Sequence, residues 1–142
     1  QPRYKPEAVS LHRRVLGWRI EHCGAEHETT MDVTESLALC LTNKPCTAAE
    51  LTEAADLFHQ VYLYKAKAFG EEHEDTMDAL FNQADALADN MQYAPALPLY
   101  QRVLTWRKKA LGASHPSTRK CQDKVDWALG EMVEQEKVDS KL

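Results

Sequence analysis

Apolar residues along this chain fall into one pattern that is written three times. Ala54, Leu57, Val61 and Tyr64 follow each other by three, four and three residues, the spacing of one stripe on an α-helix. Ala8, Leu11, Val15 and Trp18 repeat it, and so do Ala96, Leu99, Val103 and Trp106. These stripes predict three helices of one kind, here called B, over 6–23, 48–69 and 94–111. Between them Met77, Leu80, Phe81, Ala84, Leu87, Ala88 and Met91 form a broader apolar face, suited to packing on two neighbours at once. This second kind, A, is predicted over 30–43, 76–91 and 117–136.

The loops repeat as well. Gly24-Ala25-Glu26-His27-Glu28-Thr29-Thr30 aligns with Gly70-Glu71-Glu72-His73-Glu74-Asp75-Thr76 and with Gly112-Ala113-Ser114-His115-Pro116-Ser117-Thr118. A lengthened turn near Asn43–Thr47 absorbs the difference between the two spacings. Each glycine follows a B helix, where a left-handed residue is expected. Thr29, Asp75 and Ser117 are the expected N-caps of the A helices. His27, His73 and His115 occupy one loop position; each is expected to cap or hydrogen-bond its own turn, because equivalent loops of stacked units are held too far apart to share a metal ion. The chain thus reads as one all-α domain, 1–142, of about six antiparallel helices. Its parts are a half unit at 6–24, units at 30–70 and 76–112, a half unit at 117–136 and a polar tail at 137–142. A single hairpin would leave half its apolar surface in water, so stacking is what buries it.

Alanine, three residues and then a large ring, as in Ala54-x3-Phe58 and Ala96-x3-Tyr100, resembles the tetratricopeptide signature. The G-x-x-H-x-x-T loop at ~42-residue spacing is similar to the longer subclass found in kinesin light chains. The resemblance implies a right-handed α-α superhelix whose A helices line a concave groove that binds protein segments. The family's Asn-Asn-Leu-Ala run of the A helix reads Phe81-Asn82-Gln83-Ala84 here, so only Asn82 keeps the second asparagine. Met91 stands where the family's A–B turn has glycine.

Composition narrows the function. A net charge of −5 argues against nucleic acid, which calls for a basic excess. No nucleophile–base motif, phosphate loop or metal-binding motif is present, so the chain reads as non-catalytic, with no metal and no cofactor. Glu71, Glu72, Glu74 and Asp75 read as a solvated turn. Cys23, Cys40, Cys46 and Cys121 lack zinc spacing and read as free thiols in a reducing, cytoplasmic setting. No run reaches the ~20 apolar residues of a membrane span. The start at Gln1 reads as a fragment of a longer protein.

The candidate binding face is the polar stripe of the A helices. Asp78, Asn82, Asp85 and Asp89 lie on one side of their helix, opposite Leu80, Ala84 and Leu87. The equivalent positions are Asp32, Ser36, Leu39 and Asn43, then Lys120, Lys124, Trp127 and Glu131. The peptide-binding set expected is Ser36, Asn43, Asp78, Asn82, Asp85, Asp89, Lys120 and Lys124. Its acidic middle favours a protein or peptide partner with basic residues. Arg19, Lys65 and Arg107 form a basic column expected to pair with acidic neighbours, and Trp18, Tyr64 and Trp106 an aromatic column expected to pack between units. Two other functions fit such an array: self-assembly through the terminal helices into a homo-oligomer, or a regulatory domain of a larger protein.

Overall fold

The computed structural model describes residues 4–142; the first three residues of the expected domain lie outside it. Six α-helices follow in order: α1 Lys5–Cys23, α2 Glu28–Thr42, α3 Ala48–Phe69, α4 Glu74–Asp89, α5 Tyr93–Ala110 and α6 Pro116–Asp139. There is no strand among the described residues. The odd-numbered helices are the B type and the even-numbered the A type, and each packs on the helix before it and the helix after it. Contacts between alternate helices mark two layers. Arg13 on α1 meets Glu53 on α3, and Arg102 on α5 meets Tyr62 on α3. In the other layer Lys124 on α6 meets Asp85 on α4. The result is a right-handed helical solenoid.

The repeated loop motif has a complete physical explanation. Gly24, Gly70 and Gly112 have φ of 94°, 100° and 95°. For Gly24 and Gly70 ψ is near 155°, an extended region open in practice only to glycine, rather than the left-handed helical region expected. The N-cap is the histidine, two residues earlier than expected. The His27, His73 and His115 Nδ1 atoms accept the backbone N–H of Thr29, Asp75 and Ser117 at 3.2, 3.0 and 3.1 Å. The motif's threonine closes the turn: Thr30 and Thr76 donate their hydroxyls to the carbonyls of Gly24 and Gly70 at 2.7 and 2.8 Å. In the third copy the Thr118 hydroxyl is buried without a partner among the described residues.

The lengthened turn is held differently. Thr47 and Glu50 form a reciprocal capping box at the start of α3. Lys5 reaches across from α1, donates to the carbonyls of Leu41, Asn43 and Pro45 at 3.0, 2.6 and 2.9 Å, and pairs with Glu50 at 2.8 Å. One ammonium thus satisfies carbonyls left over at the end of α2.

Two apolar clusters fill the space between the layers. Leu37, Ala38 and Leu41 of α2 meet Ala54, Ala55 and Phe58 of α3 in one; Met77, Leu80, Phe81 and Ala84 of α4 meet Ala96, Tyr100 and Val103 of α5 in the other. Leu57 and Leu99, expected to be core, are only half-buried. The inward positions are the alanine and valine of the column, where helices approach closely, and the ring four residues after the alanine.

The two ends of the array differ. No residue of α1 is fully buried, and Leu11 and Trp18 are 57% and 52% exposed. At the other end the residues of α6 that align with Met77, Leu80, Phe81 and Ala84 are Arg119, Gln122, Asp123 and Asp126. The first half of that outer face is polar, while Leu129 and Val133 further along it are exposed.

Candidate functional site

The predicted polar stripe of α4 exists, but its charges are already partly engaged. Asp78 lies 3.5 Å from the Arg107 guanidinium. Arg107 is itself buried: it stacks 4.4 Å over the Phe81 ring and donates to the Ser117 carbonyl at 2.8 Å. Burial pushes the Asp78 carboxyl above its ordinary value, and the nearby guanidinium works against that shift. Asp85 accepts a short hydrogen bond from the Tyr100 hydroxyl and lies 3.4 Å from the Lys124 ammonium. Burial, reinforced by this carboxylate, raises the Tyr100 phenol far above its usual range, so it acts as a fixed donor.

Asn82 sits half-buried on the same stripe between these two anchored carboxylates, and Asp89 is exposed at its end. Lys120 reaches over Phe81 at 5.6 Å, and Lys124 lies 5.4 Å from the Trp127 ring, which meets Tyr93 edge-on at 5.5 Å. The fold therefore brings Asp78, Asn82, Asp85, Lys120 and Lys124 into one surface across α4 and α6. The α2 members stand apart from it. Ser36 is exposed and donates to the Asp32 carbonyl of its own helix. Asn43 falls just past the end of α2, where its carbonyl accepts from Lys5.

Pairing also explains two of the three members of the basic column. Lys65 meets Glu35 at 3.0 Å and Arg107 meets Asp78, in each case a carboxylate on the preceding A helix. Tyr64 and Trp106 pack against the core as expected, while Trp18 stacks on His22 at 4.3 Å.

Comparison with known proteins agrees with this architecture. The tetratricopeptide repeat family matches residues 76–117, the unit that runs from α4 to the start of α6. Over that unit the chain matches the tetratricopeptide repeat, and its fold is a tetratricopeptide-like solenoid. Among solved structures it is similar to a protein of Podosopora anserina described as a kinesin light chain with nearly identical TPR-like repeats. The identity is 26%, over 97% of this chain and 66% of that one, with a TM-score of 0.78. A single-substitution form of that protein is 24% identical, over 96% of this chain and 62% of the other, with a TM-score of 0.75; at that identity the likeness concerns the fold alone. The array thus spans less than two thirds of the length of these structures. A comparison with curated proteins gives no match.

The array has a concavity away from the stripe. A cleft of about 670 Å³ opens between the loop at Ala25 and Glu26 and the α3 residues Gln60, Leu63 and Tyr64, with Met31 beneath. The same place in the next unit is bridged: Trp106 donates its indole N–H to the Glu72 carbonyl at 2.8 Å, and Arg102 spans Tyr62 and Glu71. Leu16, Ala25 and Gln60 occupy the columns of Tyr62, Glu71 and Arg102 in the first unit and cannot form the bridge.

Two residues of this face were not singled out for it by sequence. Tyr100 looked like part of the core signature, yet the aligned residue in α3 is Phe58. A hydroxyl added at a buried ring implies a polar partner, here Asp85. Arg107 was visible only as a basic column; nothing in its spacing shows that it lies flat on Phe81.

Proposed function

We propose that this chain is a non-catalytic interaction scaffold that holds an extended segment of a protein partner along the α4–α6 face. The observation that supports this reading is the state of Asn82. Its carboxamide, with donor and acceptor both, has no hydrogen-bond partner among the described residues, and it lies between two carboxylates anchored from within the protein. Such a surface is pre-organised, so little ordering is needed when a peptide backbone docks on it. With Asp78 and Asp85 paired, the carboxylates of this face without an ion-pair partner among the described residues include Asp89 and Glu131, both exposed. These favour a partner segment with a lysine or arginine near one end, and Lys120 can take an acidic residue. Four free thiols fit a reducing compartment, which we take to be the cytoplasm.

The test is a pull-down with the domain, followed by competition with peptides cut from the captured proteins. Asn82→Ala is expected to weaken the best peptide about 2–10-fold, the worth of one neutral hydrogen bond, without lowering the melting temperature. Asp89→Lys is expected to weaken it further at low salt, with the difference shrinking as salt rises. Asp85→Lys is unsuitable, since it would set a lysine against Lys124 and strip Tyr100 of its acceptor. If both chosen variants melt normally and bind like the parent, the groove is not the binding face.

A further inference from the structure

We infer that the outer stripe of α1, Ala8, Leu11, Val15 and Trp18, is the seat of an amphipathic A-type helix that carries a carboxylate in its second or third turn. The argument comes from the two interfaces the array already contains. In α3 the same columns are Ala54, Leu57, Val61 and Tyr64. Ala54 and Val61 are 0% exposed, and Ala54 and Leu57 pack with Leu37, Ala38 and Leu41 of the preceding A helix. In α5 they are Ala96, Leu99, Val103 and Trp106, and the cover is α4. On α1 the columns are intact in sequence but open in structure.

Polar groups on α1 specify the cover further. Lys65 and Arg107 each pair with a carboxylate on the preceding A helix, Glu35 or Asp78. Arg19 is the third member of that column, and its Nε is buried with no partner among the described residues. Trp106 donates its indole N–H to a carbonyl of the loop before α4, and Arg102 reaches Glu71 of that same loop. Trp18 and Arg14 repeat this pair on α1, four residues apart, and neither side chain has a hydrogen-bond partner among the described residues. The seat therefore asks for an apolar face, an acidic residue opposite Arg19, and a preceding loop that offers acceptors to Trp18 and Arg14. The array's own terminal A helix, α6, does not supply this from a second copy. In the alignment of α6 with α4, Arg119 and Asp123 stand where α4 has Met77 and Phe81.

The test adds such an element to the chain: a copy of residues 70–91, the loop, α4 and its turn, fused ahead of Tyr4. The expected result is a rise in melting temperature of at least about 4 °C. Acrylamide quenching of the Trp18 signal, defined by difference from Trp18→Phe, should fall. Both effects should vanish when the Asp78 equivalent of the added helix is changed to Lys, and return when Arg19→Glu is combined with that change. An extension that leaves melting and quenching unchanged overturns the inference. So does an equal gain in a Trp18→Ala chain, which would place the added helix elsewhere. Light scattering that shows the unextended chain to dimerise, with Trp18 protected in the dimer, would make a second copy the occupant and overturn it as well.

Discussion

His73 caps α4 with a ring nitrogen, in a position more often held by serine, asparagine or aspartate. The extended backbone at this residue, φ −87° and ψ 144°, is what lets Nδ1 swing under the N–H of Asp75. His73→Ala should therefore cost about 1 kcal/mol in urea unfolding, while His73→Asn, which can accept the same bond, should stay within a few tenths. Met91 is a second local matter. It sits at φ 60° in the α4–α5 turn, is 68% exposed, and is the only non-glycine residue with positive φ among those described. A side chain there strains the backbone without packing gain. Met91→Gly is expected to raise stability by about 1 kcal/mol; a loss instead would mean that the side chain contributes more than its exposure suggests. Alignment of the copies located this turn, but the left-handed strain at a methionine is a property of backbone geometry that no side-chain pattern carries.

At the scale of elements, helix type and order were readable because the stripe is written three times and each copy constrains the others. Helix starts were less so. Thr29, Asp75 and Ser117 have the chemistry of caps, and the histidine two residues earlier does not advertise itself as one. The half-buried state of Leu57 and Leu99 was equally hidden, since spacing names a face but not the depth to which each residue sinks. The attachment of α1 was not legible at all, because it depends on long-range ion pairs. Lys5 holds the Glu50 carboxyl below its ordinary value of 4.5, and Arg13 does the same to Glu53, in each case mainly by a direct hydrogen bond and against the effect of burial. A carboxyl lowered in the folded state adds stability above its unfolded value and loses it as pH falls through the folded value. Stability should thus decline as pH drops below about 4.5. A Lys5→Met/Arg13→Ala chain should be weaker at pH 6 but lose less on acidification, as measured by urea melts at about pH 6 and about pH 3.5. Equal acid losses in both chains would place the effect elsewhere. The candidate face was half legible: its stripe was found, but the internal pairing of Asp78 and Asp85 depends on Arg107 and Lys124 one helix or two further on.

For the whole molecule, the polar positions Gln122, Asp123 and Asp126 on the outer face of α6 disfavour burial against another helix. Giving that face the residues of α4, with Gln122→Leu, Asp123→Phe and Asp126→Ala together, should turn a closed end into an adhesive one. Light scattering should then show concentration-dependent association while circular dichroism remains helical; a strictly monomeric variant would mean that these polar residues are not what keeps the face free. The two ends also differ in how firmly they are held. Because α1 contributes no fully buried residue and each helix leans mainly on its sequence neighbours, the domain resembles a zipper with one loose tooth. Pulled from its two ends in a force spectrometer, it should yield in order rather than at once: α1 first and at low force, and the α4–α5 hairpin with its buried Tyr100 and Phe81 last.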